Sequence, residues 1–260
     1  MDISLYPVVD FMTGSAPSLT SNASAGLPKL ESIVSEVGQL DGLGTAMAGW
    51  LADADRLMDD QDELDRLIED LTGTLLQSQP GVPNLYQMET IDRLWKHSIG
   101  TASSARVIAG FSGVDPASAW FTGLVQDIGQ IVLACRYPLA WNAIDEMRMR
   151  SGEWSANVEL LVLGFDHAML GGRLAEDWGL PFPICQAIRF HHHPERAQDG
   201  RLADIGHAAN IFCRALADLE SPDEPVSSLS PQSWSRLGLD WNQARACIAA
   251  ARQAREIRAR

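Results

Sequence analysis

The chain has 260 residues, of which 46% are hydrophobic and 21% are charged. This composition is typical of a folded globular protein with one large domain or two small ones, and it excludes a disordered or fibrous chain. The formal net charge is -14, from 34 acidic and 20 basic residues. Such a surface repels phosphate backbones, so the charge argues against a nucleic-acid partner.

The absence of targeting segments and the spacing of the cysteines both favour the cytoplasm. No run of 18 apolar residues occurs, and the first basic residue is Lys29, so neither a transmembrane helix nor the basic start of a signal peptide is expected. The cysteines lie at least 28 residues apart without a C-x-x-C pair, which favours buried free thiols in a reducing compartment. We therefore expect a cytoplasmic protein that makes no contact with a membrane. The four cysteines are Cys135, Cys185, Cys213 and Cys247.

The spacing of apolar residues predicts helices along nearly the whole chain. No convincing run of alternating β-branched residues occurs, so we predict an all-α fold. A packing helix followed by irregular chain is expected in residues 1–28, and helices are expected over 30–38, about 42–57 and 62–76. The segment 77–84 (QSQPGVPN) holds two prolines and a glycine, which predicts a boundary between two lobes.

The second half of the chain continues the helical pattern. A linker is predicted at 220–230 (ESPDEPVSSLS), with two further helices after Pro231. We divide the chain into an N-terminal helical lobe at 1–79, a second helical lobe at 84–220, and a C-terminal linker with helices that pack on the bundle at 221–260. The helices predicted for the second lobe span about 90–111, 116–136, 138–150, 155–164, 167–178, 182–191 and 202–219.

Charge is distributed unevenly along the chain. Residues 53–70 contain nine acids and two arginines, whereas residues 245–260 contain five arginines and one acid, Glu256. The arginine run fits a solvated helix face better than a nucleic-acid-binding tail, because no aromatic residue is interleaved for base stacking.

Histidines at the predicted helix ends and faces of the second lobe are candidate metal ligands. Separate helices of a bundle can direct imidazoles and carboxylates such as Asp127 to one interior point, and these ligands suit Fe, Mn and Zn. Hydrogen-bonded core histidines are the alternative, and the residues alone leave both open. We interpret His193 as an exposed helix end and His207 as a partly buried residue without a role. The other histidines are His97, His167, His191 and His192.

Five motifs, in this order and spacing, resemble the HDOD domain, the HD-related output domain of bacterial signalling. The resemblance covers roughly 90–215 and extends more weakly to the front of the chain. It implies a two-lobed helical domain whose C-terminal lobe is an HD-like helical bundle. The motifs are LWKHS at 94–98, FTGLVQDIG at 121–129, DHAMLGG at 166–172, WGLP at 178–181 and AIRFHHHP at 187–194.

The chain departs from the metal-binding pattern of the catalytic HD enzymes. Those enzymes hold one or two metal ions with a histidine, a His-Asp pair and a distal aspartate. The pair reads Gln126-Asp127 here, and Asn210 stands at the distal position. Neutral amides bind transition metals more weakly than imidazole or carboxylate, so the resemblance implies a degenerate site. The remaining candidate ligands, which include matches to the HD-GYP pattern, are His97, Asp127, His167, His191 and His192.

The lost ligands decide the predicted function. The resemblance implies a non-catalytic signal-transduction module, an output or adaptor domain that acts through contacts with another signalling protein. A homodimer is left open, and no cofactor is expected beyond a divalent transition metal. The alternative is a metal-dependent phosphohydrolase of the HD or HD-GYP type with a drifted site. No G-x-S-x-G motif, P-loop or dinucleotide fingerprint indicates another enzyme class.

Overall fold

The fold is entirely helical in the part of the chain that the structure describes. Within that part the computed structural model contains fourteen α-helices and one short 3-10 helix, and no strand, which confirms the predicted all-α fold. The expectations for residues 1–26 and for most of the linker at 220–230 lie outside the described residues. The described ranges are 27–40, 42–77, 83–151, 155–198, 200–217 and 229–258.

Four helices form the first lobe. The single helix predicted over 42–57 is wrong, because the chain leaves the helical conformation at Asp53, where φ is -96° and ψ is 7°. Trp50 and Leu57, on either side of this bend, are both buried, so the bend lets two short helices cover the same core. The helices are α1 (Leu30–Gly38), α2 (Leu43–Ala52), α3 (Ala54–Leu57) and α4 (Gln61–Leu76).

The second lobe is built around α5, a helix of 28 residues. It contacts α6, α7 and α12 of its own lobe and the C-terminal helix α14. The helices are α5 (Leu85–Ser112), α6 (Pro116–Val125), α7 (Ile128–Arg136), α8 (Pro138–Ser151), α9 (Ser155–Leu163), α10 (His167–Asp177), α11 (Phe182–Phe190), the 3-10 helix Pro194–Arg196, α12 (Gly200–Ala217), α13 (Pro231–Leu237) and α14 (Trp241–Arg258).

The break between α6 and α7 positions the site described below. The single helix predicted over 116–136 is wrong, because Asp127 has φ of -97° and ψ of 17°. Gln126 and Asp127 are nevertheless both buried. The break therefore turns two polar side chains into the interior, at a point where the apolar pattern alone favours one continuous helix.

Hydrogen bonds and an ion pair join the two lobes. Arg136 at the end of α7 donates a hydrogen bond to the Leu75 carbonyl of α4 at 3.2 Å and pairs with Glu36 of α1. The Tyr137 hydroxyl donates to Glu36 at 2.6 Å, and this bond and Arg136 outweigh burial and hold the pKa of that carboxyl below its usual value. Apolar side chains of both lobes form one continuous buried cluster.

The C-terminal helices pack on the second lobe. Asp204 of α12 is fully buried and accepts hydrogen bonds at 2.6 Å from Ser233 Oγ and Arg236 Nε of α13. Helix α14 contacts α5 and α12. The four cysteines are buried and form no disulfide in the part of the chain that the structure describes, as predicted. Among the described helices, none has both the length and the apolarity needed to cross a bilayer. The domain boundaries themselves stay a prediction.

Limited proteolysis at the predicted lobe boundary is expected to cut the chain without separating its parts. The leucines of α4 and the core of the second lobe share the buried cluster, so fragments 1–79 and 84–260 should stay associated. Size-exclusion chromatography of the cleaved protein checks this. Two fragments that elute apart, each with the circular dichroism of a folded helical protein, would show two independent domains.

Candidate functional site

The predicted ligands converge at one interior point, where several helices of the second lobe end. Asp127 lies in the break between α6 and α7, His167 opens α10, and His191 and His192 follow α11. Asp166 fixes the start of α10 by accepting a hydrogen bond from the Met169 backbone N–H at 2.7 Å. The remaining members are His97 of α5 and Asn210 and Arg214 of α12.

Asp127 is the centre of this cluster. One oxygen, Oδ1, lies 3.2 Å from Nε2 of His167 and 3.4 Å from Nε2 of His191. The other, Oδ2, lies 3.4 Å from Nε2 of His97. The carboxylate is 1% exposed. A single buried anion therefore faces three imidazoles that come from three different helices or helix ends.

Three histidines meet on one side of Asp127. The ligand nitrogens of His167, His191 and His192 all lie within 4.8 Å of one another. Nε2 of His167 and Nε2 of His192 are 2.9 Å apart, the distance of a hydrogen bond. With Asp127, this group forms a three-nitrogen, one-oxygen set, which we call the histidine half of the site.

Two of these imidazoles are fixed by hydrogen bonds at Nδ1, the ring nitrogen that points away from Asp127. Nδ1 of His167 lies 2.6 Å from Oε2 of Glu159, which also accepts the His167 backbone N–H at 2.7 Å. Nδ1 of His191 donates to the Ile188 carbonyl at 2.8 Å. Both Nε2 atoms therefore face Asp127, the arrangement that metal-ligating histidines adopt.

Sequence reasoning missed Glu159. It is fully buried in α9, and its other carboxylate oxygen, Oε1, accepts a hydrogen bond from Gln130 at 3.3 Å. The signal in the sequence was one acid inside a mostly apolar run, ANVELLVL. That run does not show which face of the helix is buried, and it does not identify the histidine that the acid contacts.

Several polar atoms at the centre are buried without a hydrogen bond of good geometry among the described residues. They are both Asp127 oxygens, Nε2 of His191 and both amide atoms of Gln126. Native proteins rarely leave such groups unpaired, and unpaired groups mark places where an ion or water binds. The carboxylate and imidazole atoms fit a divalent transition metal, whereas the neutral amide of Gln126 adds little to such a site.

Asn210, His97 and Arg214 form the other half, which we call the amide half. Oδ1 of Asn210 lies 2.8 Å from His97 Nε2 and accepts a hydrogen bond from Arg214 Nε at 3.1 Å. Arg214 is 8% exposed. Burial lowers the pKa of His97, but Cys213 and Asp127 outweigh burial and raise it to about 9. The donors and the amide carbonyl thus satisfy one another here, and the permanent positive charge of the Arg214 guanidinium disfavours a metal ion.

Proton positions follow from the charges. Burial lowers the pKa of His167, but the carboxylates of Glu159 and Asp127 outweigh burial and raise it to about 10. Burial raises the pKa of Asp127, but its close contacts with the imidazoles of His167, His191 and His97 outweigh burial and hold it well below the usual value. Burial, together with the adjacent His191 and His167, lowers the pKa of His192 well below its usual value. His167 therefore donates its Nε2 proton to His192, and a metal ion must displace that proton.

The remaining two histidines are His207, whose interpretation the structure corrects, and His193, whose interpretation agrees with the structure. His207, predicted to be partly buried and without a role, is 5% exposed. It donates from Nδ1 to the His191 carbonyl at 2.8 Å and accepts the Ser230 backbone N–H at 3.1 Å, so it links the histidine half to the start of α13. Burial lowers the pKa of His207, which keeps it neutral for both bonds. His193 is exposed, as predicted.

Comparison with protein families confirms the resemblance. Residues 71–194 match the family model of the HDOD domain. A protein of Treponema pallidum (strain Nichols), described as an uncharacterized protein, is 28% identical over 138 residues. The alignment covers 52% of this chain and 27% of that protein, so this chain spans about a quarter of the relative's length.

Solved structures share the fold. A structure from Geobacter sulfurreducens described as an HDOD domain protein is 21% identical, with a TM-score of 0.55 and coverage of 90% of this chain and 91% of that chain. A structure from Shewanella amazonensis SB2B described as a "putative phosphohydrolase" is 20% identical, with a TM-score of 0.54 and coverage of 90% and 94%. At these identities the likeness shows the fold alone.

Proposed function

We propose that this chain, whose residues 71–194 match the HDOD domain, is a non-catalytic signal-transduction module that acts through contacts with another signalling protein. We further propose that its histidine half binds one divalent transition metal ion. The family resemblance supports the signalling role, and the geometry of the two halves supports binding without catalysis.

The amide half is the observation that carries the proposal. Two-metal hydrolysis of phosphoesters needs two ions about 3.5–4 Å apart that share ligands. A second ion beside the first would meet the Asn210 carbonyl, which already accepts from Arg214 Nε at 3.1 Å and lies 2.8 Å from His97 Nε2. The guanidinium repels a cation, and an amide does not compensate its charge. The geometry therefore favours at most one ion.

The histidine half has the donors that one ion needs. His167, His191, His192 and Asp127 would hold it, and Glu159 and the Ile188 carbonyl already fix two of the imidazoles. A bound ion would join the break between α6 and α7 to the ends of α10 and α11. The ion would compensate the charge of the Asp127 carboxylate and cross-link these helix ends. The positions of the helix ends would then depend on bound metal.

A drifted phosphohydrolase is the second candidate, and one observation favours it. Both Asp127 oxygens are buried without a hydrogen bond of good geometry among the described residues, and a single ion beside them could still activate water. The two candidates differ in turnover: the signalling module binds metal without hydrolysis, whereas the hydrolase loses both together when Asp127 is changed.

Calorimetric titration with Mn²⁺, Fe²⁺ and Zn²⁺ and a hydrolysis assay with a phosphodiester and cyclic dinucleotides test the proposal. We expect one ion per chain and no turnover. Asp127→Asn keeps the size of the side chain but removes the anion, and should weaken binding by about tenfold to a hundredfold. His193→Gln is the matched control, because His193 is an exposed histidine next to the cluster. It should bind as the unchanged protein does.

The outcomes separate the candidates. Turnover that depends on metal and disappears in Asp127→Asn would establish the phosphohydrolase. A protein that takes up no ion, or that binds equally well after Asp127→Asn, would overturn the metal site and leave the cluster as a hydrogen-bonded core.

A further inference from the structure

An exposed tryptophan marks the surface of the last helix. Trp241, the first residue of α14, is 76% exposed, whereas tryptophan is highly buried on average. Its ring lies against that of Trp234, with ring centroids 5.4 Å apart, so one side of the indole is supported. Large aromatic side chains in fixed positions contribute strongly to the binding energy of protein interfaces.

Two arginines continue this surface along α14. Arg245 and Arg252 are exposed, and they follow Trp241 by four and eleven residues, with the half-buried Ile248 between them. Arg245 donates a hydrogen bond to Asn242, and within the described ranges neither arginine forms an ion pair. We call Trp241, Arg245, Ile248 and Arg252 the arginine stripe. The face of α14 that carries Ala244, Cys247 and Ala251, directly beside this stripe, is buried.

Helix α4 carries a row with the same spacing. Counted back from Gly73, the residues Glu69, Arg66 and Asp62 follow at four, seven and eleven positions. Asp62 and Glu69 are exposed, and neither forms an ion pair within the described part of the chain. We call these four residues the acidic stripe. The opposite face of α4 is buried through Leu64, Ile68, Leu71 and Leu75.

Packing among the described residues does not require a glycine at position 73. It lies inside α4, where glycine makes a helix less stable than alanine does. A Cβ added at Gly73 would touch none of the described residues within 4 Å. A residue without a side chain on an otherwise polar helix face leaves room for a large side chain of a neighbouring helix.

We propose that the arginine stripe of one copy of this chain packs antiparallel on the acidic stripe of a second copy. The two arginines of one stripe and the two acids of the other are each seven positions apart, about 10 Å along a helix, so one register satisfies both acid–arginine pairs. The same register places the indole over the glycine and the aliphatic stem of an arginine on an isoleucine. The facing pairs are Trp241–Gly73, Arg245–Glu69, Ile248–Arg66 and Arg252–Asp62.

The two stripes differ, so the contact is heterologous and joins copies into a closed ring or an open chain. A single-stranded nucleic acid is the competing occupant, because an indole stacks on bases and arginines bind phosphates. The formal net charge of -14 opposes that occupant over long range. Two copies also repel each other through their net charge, but screening at physiological salt reduces this long-range repulsion, and only a second copy supplies the acidic stripe that complements the arginines at short range.

Sedimentation velocity over roughly 1 µM to 1 mM, the range of weak association, tests the proposal. The weight-average mass should rise with concentration above 28.4 kDa. Arg245→Glu with Arg252→Glu, and separately Asp62→Lys with Glu69→Lys, should each weaken association at least tenfold. Mixing the two double variants should restore association, because the reversed stripes then complement each other.

Two further comparisons locate the contact. Trp241→Ala and Gly73→Gln should each weaken association. The first removes the indole, and the second places a side chain in the space that the indole would occupy. Arg93→Glu with Arg150→Glu makes the same change of charge at exposed positions of α5 and α8, and should leave association unchanged. Metal titration of all variants should match the unchanged protein, so a failure here does not bear on the histidine half.

Three results would each overturn the proposal: a mass that does not rise with concentration, association that survives both charge reversals, or association that mixing does not restore. Binding of a single-stranded oligonucleotide that quenches tryptophan fluorescence and is lost in Arg245→Glu with Arg252→Glu, in a chain that does not self-associate, would assign the surface to nucleic acid instead.

Discussion

Gly129→Ala is expected to lower the free energy of unfolding by about 3 kcal/mol and to abolish metal binding. Gly129 lies in α7, and a Cβ added there would lie 2.2 Å from the His167 carbonyl oxygen and 2.9 Å from its carbon. These are backbone atoms at the start of α10, so they cannot rotate away, and forced overpacking of a core costs about 1–3 kcal/mol. The helices must separate, and this moves the His167 imidazole away from Asp127.

Urea unfolding and calorimetric metal titration measure the two effects. Gly110→Ala is the matched control, because Gly110 lies in α5 and a Cβ there would touch none of the described residues within 4 Å. It should stabilise the protein by about 0.5–1 kcal/mol, the difference in helix propensity. If Gly129→Ala is as stable as the unchanged protein and binds metal equally well, the close approach of α7 and α10 does not exist.

Restoring a second metal is expected to require three substitutions rather than two. Gln126→His and Asn210→Asp return the ligands that catalytic HD enzymes have. The Asn210 side chain, however, already accepts from Arg214 Nε at 3.1 Å and lies 2.8 Å from His97 Nε2. A carboxylate at this position would pair with the guanidinium and so stay unavailable to metal. The double variant should therefore still bind one ion.

Adding Arg214→Met removes the competing charge. The triple variant should bind two ions, and at a free metal concentration of a hundred times Kd each site should add about 2.7 kcal/mol to the free energy of unfolding. With chelator it should be about 3 kcal/mol less stable than the double variant, because a buried carboxylate loses its partner. Arg214→Met alone is the control and should bind one ion.

Calorimetric stoichiometry and melting with and without metal decide this prediction. Two ions in the double variant would show that Arg214 does not block the site. One ion in the triple variant would show that position 210 does not face the histidine half.

The sequence identified most residues of the candidate site but not the contacts between them. The order of the HDOD motifs identified Asp127 and the histidines, because each lies in a short motif whose residues are neighbours along the chain. Glu159 could not be assigned, since its contact with His167 depends on how α9 packs beside α10. Arg214 was missed for a similar reason: its relation to Asn210 is one helical turn, but its effect depends on His97 of a different helix.

The sequence by itself determined the all-α class, most of the helix positions and the resemblance to the HDOD domain. These follow from local rules, because a helix forms through hydrogen bonds between residues four apart and shows its buried face as an apolar repeat. The break at Gln126-Asp127, the open space beside Gly73 among the described residues and the exposure of Trp241 were decided only by the tertiary structure. Each depends on which helices lie against each other, and that choice is made by many weak contacts between residues far apart in the chain.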